Sequence, residues 1–216
     1  MAIVLKKYAD PVTKEKQIKD WLERPYSWSQ HCAFTQYGKE GWYKKYIEGT
    51  PTPTNKYMMF GSMIGKKIET DPTFLPEVPR QSRMEFPVET EYKGIRMVGY
   101  FDSYCPDTII IEEYKTSRKY GWSQGKVDNH GQITFYYLLL NLAHGVKPKN
   151  VTSRLHHLET ELDENEEVKL VEPFTLRQFK TKRTVKDINM LKKEIVATRK
   201  EMLDYAGGDL VVPCIV

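Results

Sequence analysis

This sequence predicts an α/β fold, a mixed central β-sheet flanked by α-helices, and three observations carry that prediction. Apolar residues recur at helical spacing up to about Glu69, the period changes to two from Arg83 onward, and strand-like and helix-like segments then alternate.

Taken in order, Thr13 to Glu23 reads as a helix, ended at Pro25 because the residue before a proline is pushed out of the α region. A second helix, capped by Ser27 or Ser29, carries Phe34, Tyr37, Trp42 and Tyr46 toward Ile47. A third covers Tyr57 to Glu69, and the proline-bearing segment Asp71 to Pro79 is a connector. Arg83 to Glu91, Ile95 to Tyr104 and Thr108 to Lys115 are rich in branched and aromatic side chains and read as successive strands, with turns at Lys93-Gly94 and Cys105-Pro106-Asp107. A helix from Val127 to Ala143 follows, ended by Gly145 and Pro148. Next come a strand from Asn150 to His157, an acidic stretch from Glu159 to Glu167 and a short strand from Val168 to Glu172. A long C-terminal helix from Leu176 to Tyr205, closed by Gly207-Gly208, completes the order. No internal repeat is visible, so residues 1–216 read as a single domain with a helical N-terminal segment.

Composition sets limits without deciding function. A hydrophobic fraction of 40% over 216 residues can bury a continuous core. The longest apolar runs, Ile109 to Ile111 and Phe135 to Leu140, are far too short for a membrane span. Met1 to Leu5, followed by Lys6-Lys7, is too short for a secretory signal, which points to the cytoplasm and to no membrane partner. Cys32, Cys105 and Cys214 are scattered without the spacing that holds zinc or an iron–sulfur cluster, so free thiols are expected. The formal charge of +4 suits a polyanionic partner but is common elsewhere.

The chemistry concentrates in Val98-Gly99-Tyr100-Phe101-Asp102 and in Ile109 to Ser117. Strand alternation turns Ile109, Ile111, Glu113 and Lys115 to one face and Ile110, Glu112 and Tyr114 to the other. An acid and a lysine therefore emerge together at the end of an apolar strand, and the short turn can bring Asp102 beside them. Phosphodiester hydrolysis needs such a set: carboxylates to hold Mg²⁺ or Mn²⁺, and a cation near the attacking oxygen. Asp102, Glu113 and the Tyr114 carbonyl would suffice as protein ligands. Lys115 would orient or deprotonate the water, or stabilise charge on the phosphate. An isolated acid-x-Lys is more often a solvated salt bridge; the apolar residues on the same face and the second acid one strand earlier weigh against that here.

Gly99 to Asp102, then Glu113-Tyr114-Lys115-Thr116, then Gln132-Ile133-Thr134-Phe135-Tyr136 occur in this order, and together they resemble the RecB-like exonuclease branch of the PD-(D/E)XK nuclease superfamily. The resemblance implies a restriction-endonuclease-like core, with Asp102, Glu113, Lys115, Gln132 and Tyr136 in the active centre. Gln132 and Tyr136 lie four apart on one helix face, able to reach both metal centre and phosphate backbone. Ser27-Trp28-Ser29, Phe34 and Trp42 to Ile47 look like the family's opening segment, but Gly38 stands where relatives carry a cluster cysteine. Relatives often have Gly-x-x-x-His on the third helix; here Gly65 takes the histidine's place, and Glu69, one turn on, is an extra metal-ligand candidate or a solvated acid beside Lys66 and Lys67. Pro106-Asp107 is a turn, and Asp102 is the better acid.

The loop after the third strand offers Thr116, Arg118, Lys119, Tyr120 and Trp122 as nucleic-acid contacts, with bases stacking on its rings. A second basic group runs through Arg177, Lys180, Lys182, Arg183 and Lys186. The expectation is a Mg²⁺- or Mn²⁺-dependent deoxyribonuclease acting on ends or single strands in recombination, repair or phage DNA processing. Its partners would be DNA and a recombination or replication protein, with the oligomeric state open. The alternatives are a nuclease-like binding module without cleavage and a structure-specific endonuclease.

Overall fold

The computed structural model describes residues 13–207. The sequence readings at Met1 to Leu5, Lys6-Lys7, Gly208 and Cys214 lie outside the described residues.

Helix α1 (Lys14–Leu22) begins where the Thr13 hydroxyl accepts the Lys16 N–H, and it turns Ile18 and Trp21 into the core. Ser27 caps α2 (Trp28–Thr35). The expected run to Ile47 is broken: Gly38 has φ +99°, a region open to glycine, and a separate α3 (Lys39–Tyr46) starts after it. Asn55 caps α4 (Lys56–Thr70) through the Met58 N–H at 2.9 Å.

Strands β1 (Arg83–Tyr92), β2 (Ile95–Cys105) and β3 (Ile110–Ser117) form an antiparallel meander. Lys93 and Gly94 both have positive φ, as the tight two-residue hairpin turn requires. Ile109, at φ +51°, belongs to the next turn, so β3 starts later than Thr108. The single helix expected from Val127 is two, α5 (Gln124–Asp128) capped by Ser123 and α6 (Gly131–His144), separated at Asn129-His130. They cross over to β4 (Thr152–Leu162), which pairs parallel with β3 and runs on through part of the acidic stretch. β5 (Val168–Leu170) and β6 (Leu176–Thr181) share the far edge of β4, β6 along Ser153–Leu158 and β5 along Thr160–Leu162. The result is a mixed sheet of six strands.

The expected helix from Leu176 is also corrected, since Leu176–Thr181 is β6 and α7 (Val185–Gly207) begins only after a reciprocal cap. There Thr184 N–H donates to Asp187 Oδ2 at 2.7 Å while Asp187 N–H donates to Thr184 Oγ1 at 3.3 Å.

Helices cover both faces of the sheet. Phe101, Ile111 and Leu155 pack into the main core with Phe135 and Leu138 of α6 and Ile195 of α7. On the opposite face Tyr114 and Leu158 meet Ile64 and Ile68 of α4. Glu112 is fully buried on that second face, accepting from Gln81 Nε2 at 2.7 Å and from Arg154 Nε at 2.9 Å, with His156 Nε2 at 2.8 Å. Adjacent acids of β3 thus serve opposite faces, with Glu112 tied into an ion-paired network and Glu113 left for the other side.

Candidate active site

β2 and β3 pair from Cys105↔Ile110 to Ser103↔Glu112. One step further a side chain takes over the ladder, as Asp102 Oδ2 accepts the Tyr114 N–H at 2.8 Å. Glu113 is fully buried. Lys115 Nζ stands 2.5 Å from Glu113 Oε1 as an ion pair. Burial, and then the Glu113 charge, hold the Asp102 carboxyl well above the usual carboxylate range, against the pull of Lys115 and the Tyr114 N–H. Burial pulls the Lys115 ammonium down, but Glu113 and Asp102 outweigh it and leave it above its ordinary value.

Helix α6 fixes this lysine from the far side. Lys115 Nζ donates to Gln132 Oε1 at 3.2 Å, Gln132 Nε2 donates to the Tyr136 hydroxyl at 2.6 Å, and Tyr136 donates to the Tyr100 carbonyl at 2.7 Å. The Gln-x-x-x-Tyr spacing therefore builds one relay along a helix face, from the lysine to the backbone of β2. Burial, followed by the Glu113 and Asp102 charges, raises the Tyr136 phenol well above its ordinary value and keeps it protonated. Gly99 lets α6 come this close: a Cβ there would lie 2.6 Å from Leu139 Cδ1 and 3.4 Å from the Tyr136 ring.

A hollow of about 990 Å³ opens over the centre between α4 and the sheet, with Glu69, Glu85, Asp102, Tyr114 and Lys115 on its walls. Glu69 is 2.8 Å from Lys66 and 26% exposed, so it faces the hollow while ion-paired. Glu85 was not singled out by the sequence reading. Its neighbours pair as Met84↔Ser103 and Phe86↔Phe101, which sets Glu85 opposite Asp102. Burial raises the Glu85 carboxyl, as do the Glu69 and Glu113 charges. Its φ of +46° is the left-handed region that non-glycine residues reach only at a cost. Counting outward from the two-residue Lys93-Gly94 turn would have found it, since that turn fixes the register.

The expected nucleic-acid contacts divide in three. Thr116, within β3, and Arg118, just after it, sit against α4: a Cβ on Gly61 would lie 2.9 Å from Thr116 Oγ1, and Arg118 Nη2 donates to the Tyr57 hydroxyl at 2.6 Å. Lys119 lies over the Tyr120 ring, and Tyr120 is 82% exposed. Trp122 turns back to meet His130 edge-on at 5.0 Å. In the second basic group Arg183 is buried, donating to Thr134 Oγ1 and to the Val127 and His130 carbonyls, so it braces α5 and α6. The Tyr114 side chain lies on the α4 face of the sheet, its hydroxyl donating to the Pro79 carbonyl at 2.6 Å.

Among the described residues no three His, Cys, Asp or Glu side chains form a ready-made metal cage. The donors present still suit a hard divalent cation, because Mg²⁺ takes oxygen ligands and is satisfied by one or two carboxylates completed by water. The buried oxygens of Glu113 and the Asp102 carboxylate are such donors. Cys32 and Cys105 are free thiols.

Residues 42–208 match the family model of the PD-(D/E)XK nuclease superfamily. The solved structure of a candidate exonuclease from Eubacterium rectale is similar to this chain with TM-score 0.55 and 13% identity, covering 96% of this chain and 93% of its own. A phage-related exonuclease from Haemophilus somnus 129PT is 16% identical with TM-score 0.47, covering 90% of this chain and 91% of its own. A search of curated proteins gave no match.

Proposed function

The chain belongs to the PD-(D/E)XK nuclease superfamily, and on that premise we propose that it is a Mg²⁺- or Mn²⁺-dependent deoxyribonuclease directed at DNA ends or single strands. Nucleases of this superfamily generally use divalent metal ions. The observation that carries the reading is Glu113, a fully buried carboxylate beside a second, desolvated acid, Asp102, with Lys115 2.5 Å from its Oε1 as the one cation between them among the described residues. Two neighbouring desolvated carboxylates against that single ammonium are costly unless a further cation engages them.

In this reading Asp102, Glu113 and the Tyr114 carbonyl hold the ion, with Glu69 and Glu85 at the rim. The bound ion supplies polarisation of the phosphate and a more acidic water. Lys115, as an ammonium, neutralises charge that grows on the phosphate oxygens or orients the attacking water. Gln132 and Tyr136 position Lys115, and Gln132 also faces the backbone of the substrate. Thr116, Arg118, Lys119, Tyr120 and Trp122 engage the strand. The setting is recombination, repair or phage DNA processing in the cytoplasm, alongside a recombination or replication protein. Among the described residues no helix is long and apolar enough to cross a membrane.

The test is cleavage of labelled linear duplex, closed circular duplex and single strands with Mg²⁺, Mn²⁺ or chelator. Metal-dependent loss of linear and single-stranded DNA, with the circle spared, is expected. Discrete fragments from the circle would make the protein a structure-specific endonuclease, and binding without cleavage in either metal would make it a nuclease-like binding module.

A further inference from the structure

A second hollow, of about 1020 Å³, lies on the α6 side of Lys115, between α2, α3, the start of α4 and the segment Trp122 to Gln132. Asn55, Met58 and Lys115 line both this groove and the hollow over Asp102, so the two open on the same ammonium from opposite sides. Their charges contrast. Glu69, Glu85 and Asp102 line the first beside Lys66 and Lys115, whereas the second is lined by Lys45, Lys115 and Lys126 and by no aspartate or glutamate among the described residues.

The walls of the groove are also aromatic. Trp122 and His130 stand edge to face at 5.0 Å, and His130 Nδ1 is buried without a hydrogen-bond partner. Trp28 is stacked on His31 at 4.6 Å and pressed against the start of α6, where a Cβ on Gly131 would lie 2.2 Å from its ring. Lys126 Nζ donates to the Gly121 carbonyl at 2.9 Å and so anchors the loop that presents Trp122.

We propose that this groove binds an unpaired DNA strand, its bases stacking on Trp122 and Trp28 and its phosphates held by Lys45, Lys126 and Lys115. Rings beside lysines, with no opposing carboxylate, fit a polyanion that carries flat apolar faces. In a duplex those faces are covered by neighbouring base pairs, so stacking on the rings of this groove requires unstacked bases. A strand lying here reaches Lys115, which also lines the hollow over Asp102. The inference therefore rests on the nuclease reading and narrows its substrate to the unpaired strand.

The full chain is titrated with a thymidine dodecamer and with a 12-base-pair duplex in chelator at low salt, so binding is read apart from hydrolysis. Of the four tryptophans, Trp21 and Trp42 have no exposed surface, so fluorescence quenching reports Trp28 and Trp122. Saturable quenching by the single strand, at least about tenfold tighter than by the duplex, is expected. Trp122→Leu should weaken it about tenfold, the contribution of one stacked base, while Trp122→Phe keeps most of it. If Trp122→Leu does not fold, Lys45→Glu with Lys126→Glu, both on the exposed rim, should give a comparable or larger loss. Equal quenching by duplex, or wild-type affinity in these variants, overturns the groove. A chain that cleaves but is not quenched sinks the groove and leaves the nuclease reading standing. One that is quenched but cleaves nothing in Mg²⁺ or Mn²⁺ does the reverse.

Discussion

Gln132→Ala removes the amide that accepts from Lys115 at 3.2 Å and donates to Tyr136 at 2.6 Å. Lys115 then keeps Glu113 Oε1, 2.5 Å away, as its close partner and is drawn toward β3 and away from α6. A hydrogen bond to a charged group contributes about 1.5–3 kcal/mol. If that energy serves to position the ammonium for the transition state, then at about 1.36 kcal/mol per decade kcat falls roughly 10- to 150-fold. The loss should appear in single-turnover cleavage at saturating Mg²⁺ and DNA, with the fall in kcat exceeding any rise in KM from the lost backbone contact. Tyr136→Phe, which loses the bond to the Tyr100 carbonyl but leaves Gln132 beside Lys115, should cost less. A Gln132→Ala enzyme with raised KM and kcat within about twofold of wild type would refute the relay and leave Gln132 the substrate contact alone.

Other outcomes follow from packing and charge. Burial, then the Lys115 and Arg183 charges, lower the His130 imidazole from 6.5 to about 4, so the folded chain keeps it neutral where the unfolded chain protonates. Its contribution is intact above pH 6.5 and is lost as the pH falls toward 4, by up to about 3 kcal/mol less what solvent screens. Urea denaturation at neutral and acid pH should show His130→Asn flattening that slope, and an unchanged slope counts against it. Gly99→Val should cost about 1–3 kcal/mol through overpacking against Leu139, partly recovered in the double variant with Leu139→Ala; simple additivity would contradict the close approach. Glu85→Gly relieves a left-handed backbone and should raise stability in chelator by up to about 1 kcal/mol while weakening Mn²⁺ binding by calorimetry. Unaltered Mn²⁺ affinity would remove Glu85 from the site.

The β1 to β3 meander was legible because alternation and turn chemistry are local: Lys93-Gly94 announces a hairpin, and apolar Ile111 ahead of Glu113 and Lys115 marks one face. The same alternation separated Glu113 from Glu112 before any contact was known. Strand β6 was not legible, since Leu176 and Phe179 are three apart, which fits a helical face, whereas in the strand they turn to opposite sides of the sheet; pairing with β4 decides it. Thr184-x-x-Asp187 was a usable signal for the true start of α7. The break at Gly38 has a local cause, a positive φ that glycine reaches freely, whereas the one at Asn129-His130 lies where Trp28 of α2 meets Gly131. Glu85 combines register with a strained φ, and only the first of these can be read along the chain.

The central claim is that Asp102, Glu113 and Lys115 form one metal-dependent hydrolytic centre. Its most direct test is Mn²⁺ binding by calorimetry beside cleavage of linear DNA, for wild type, Asp102→Asn and Glu113→Gln. Wild type should bind Mn²⁺ and cleave only with metal, and each variant should lose both binding and most cleavage without losing its fold. Cleavage by Glu113→Gln at the wild-type rate, or undiminished wild-type cleavage in chelator, contradicts the account.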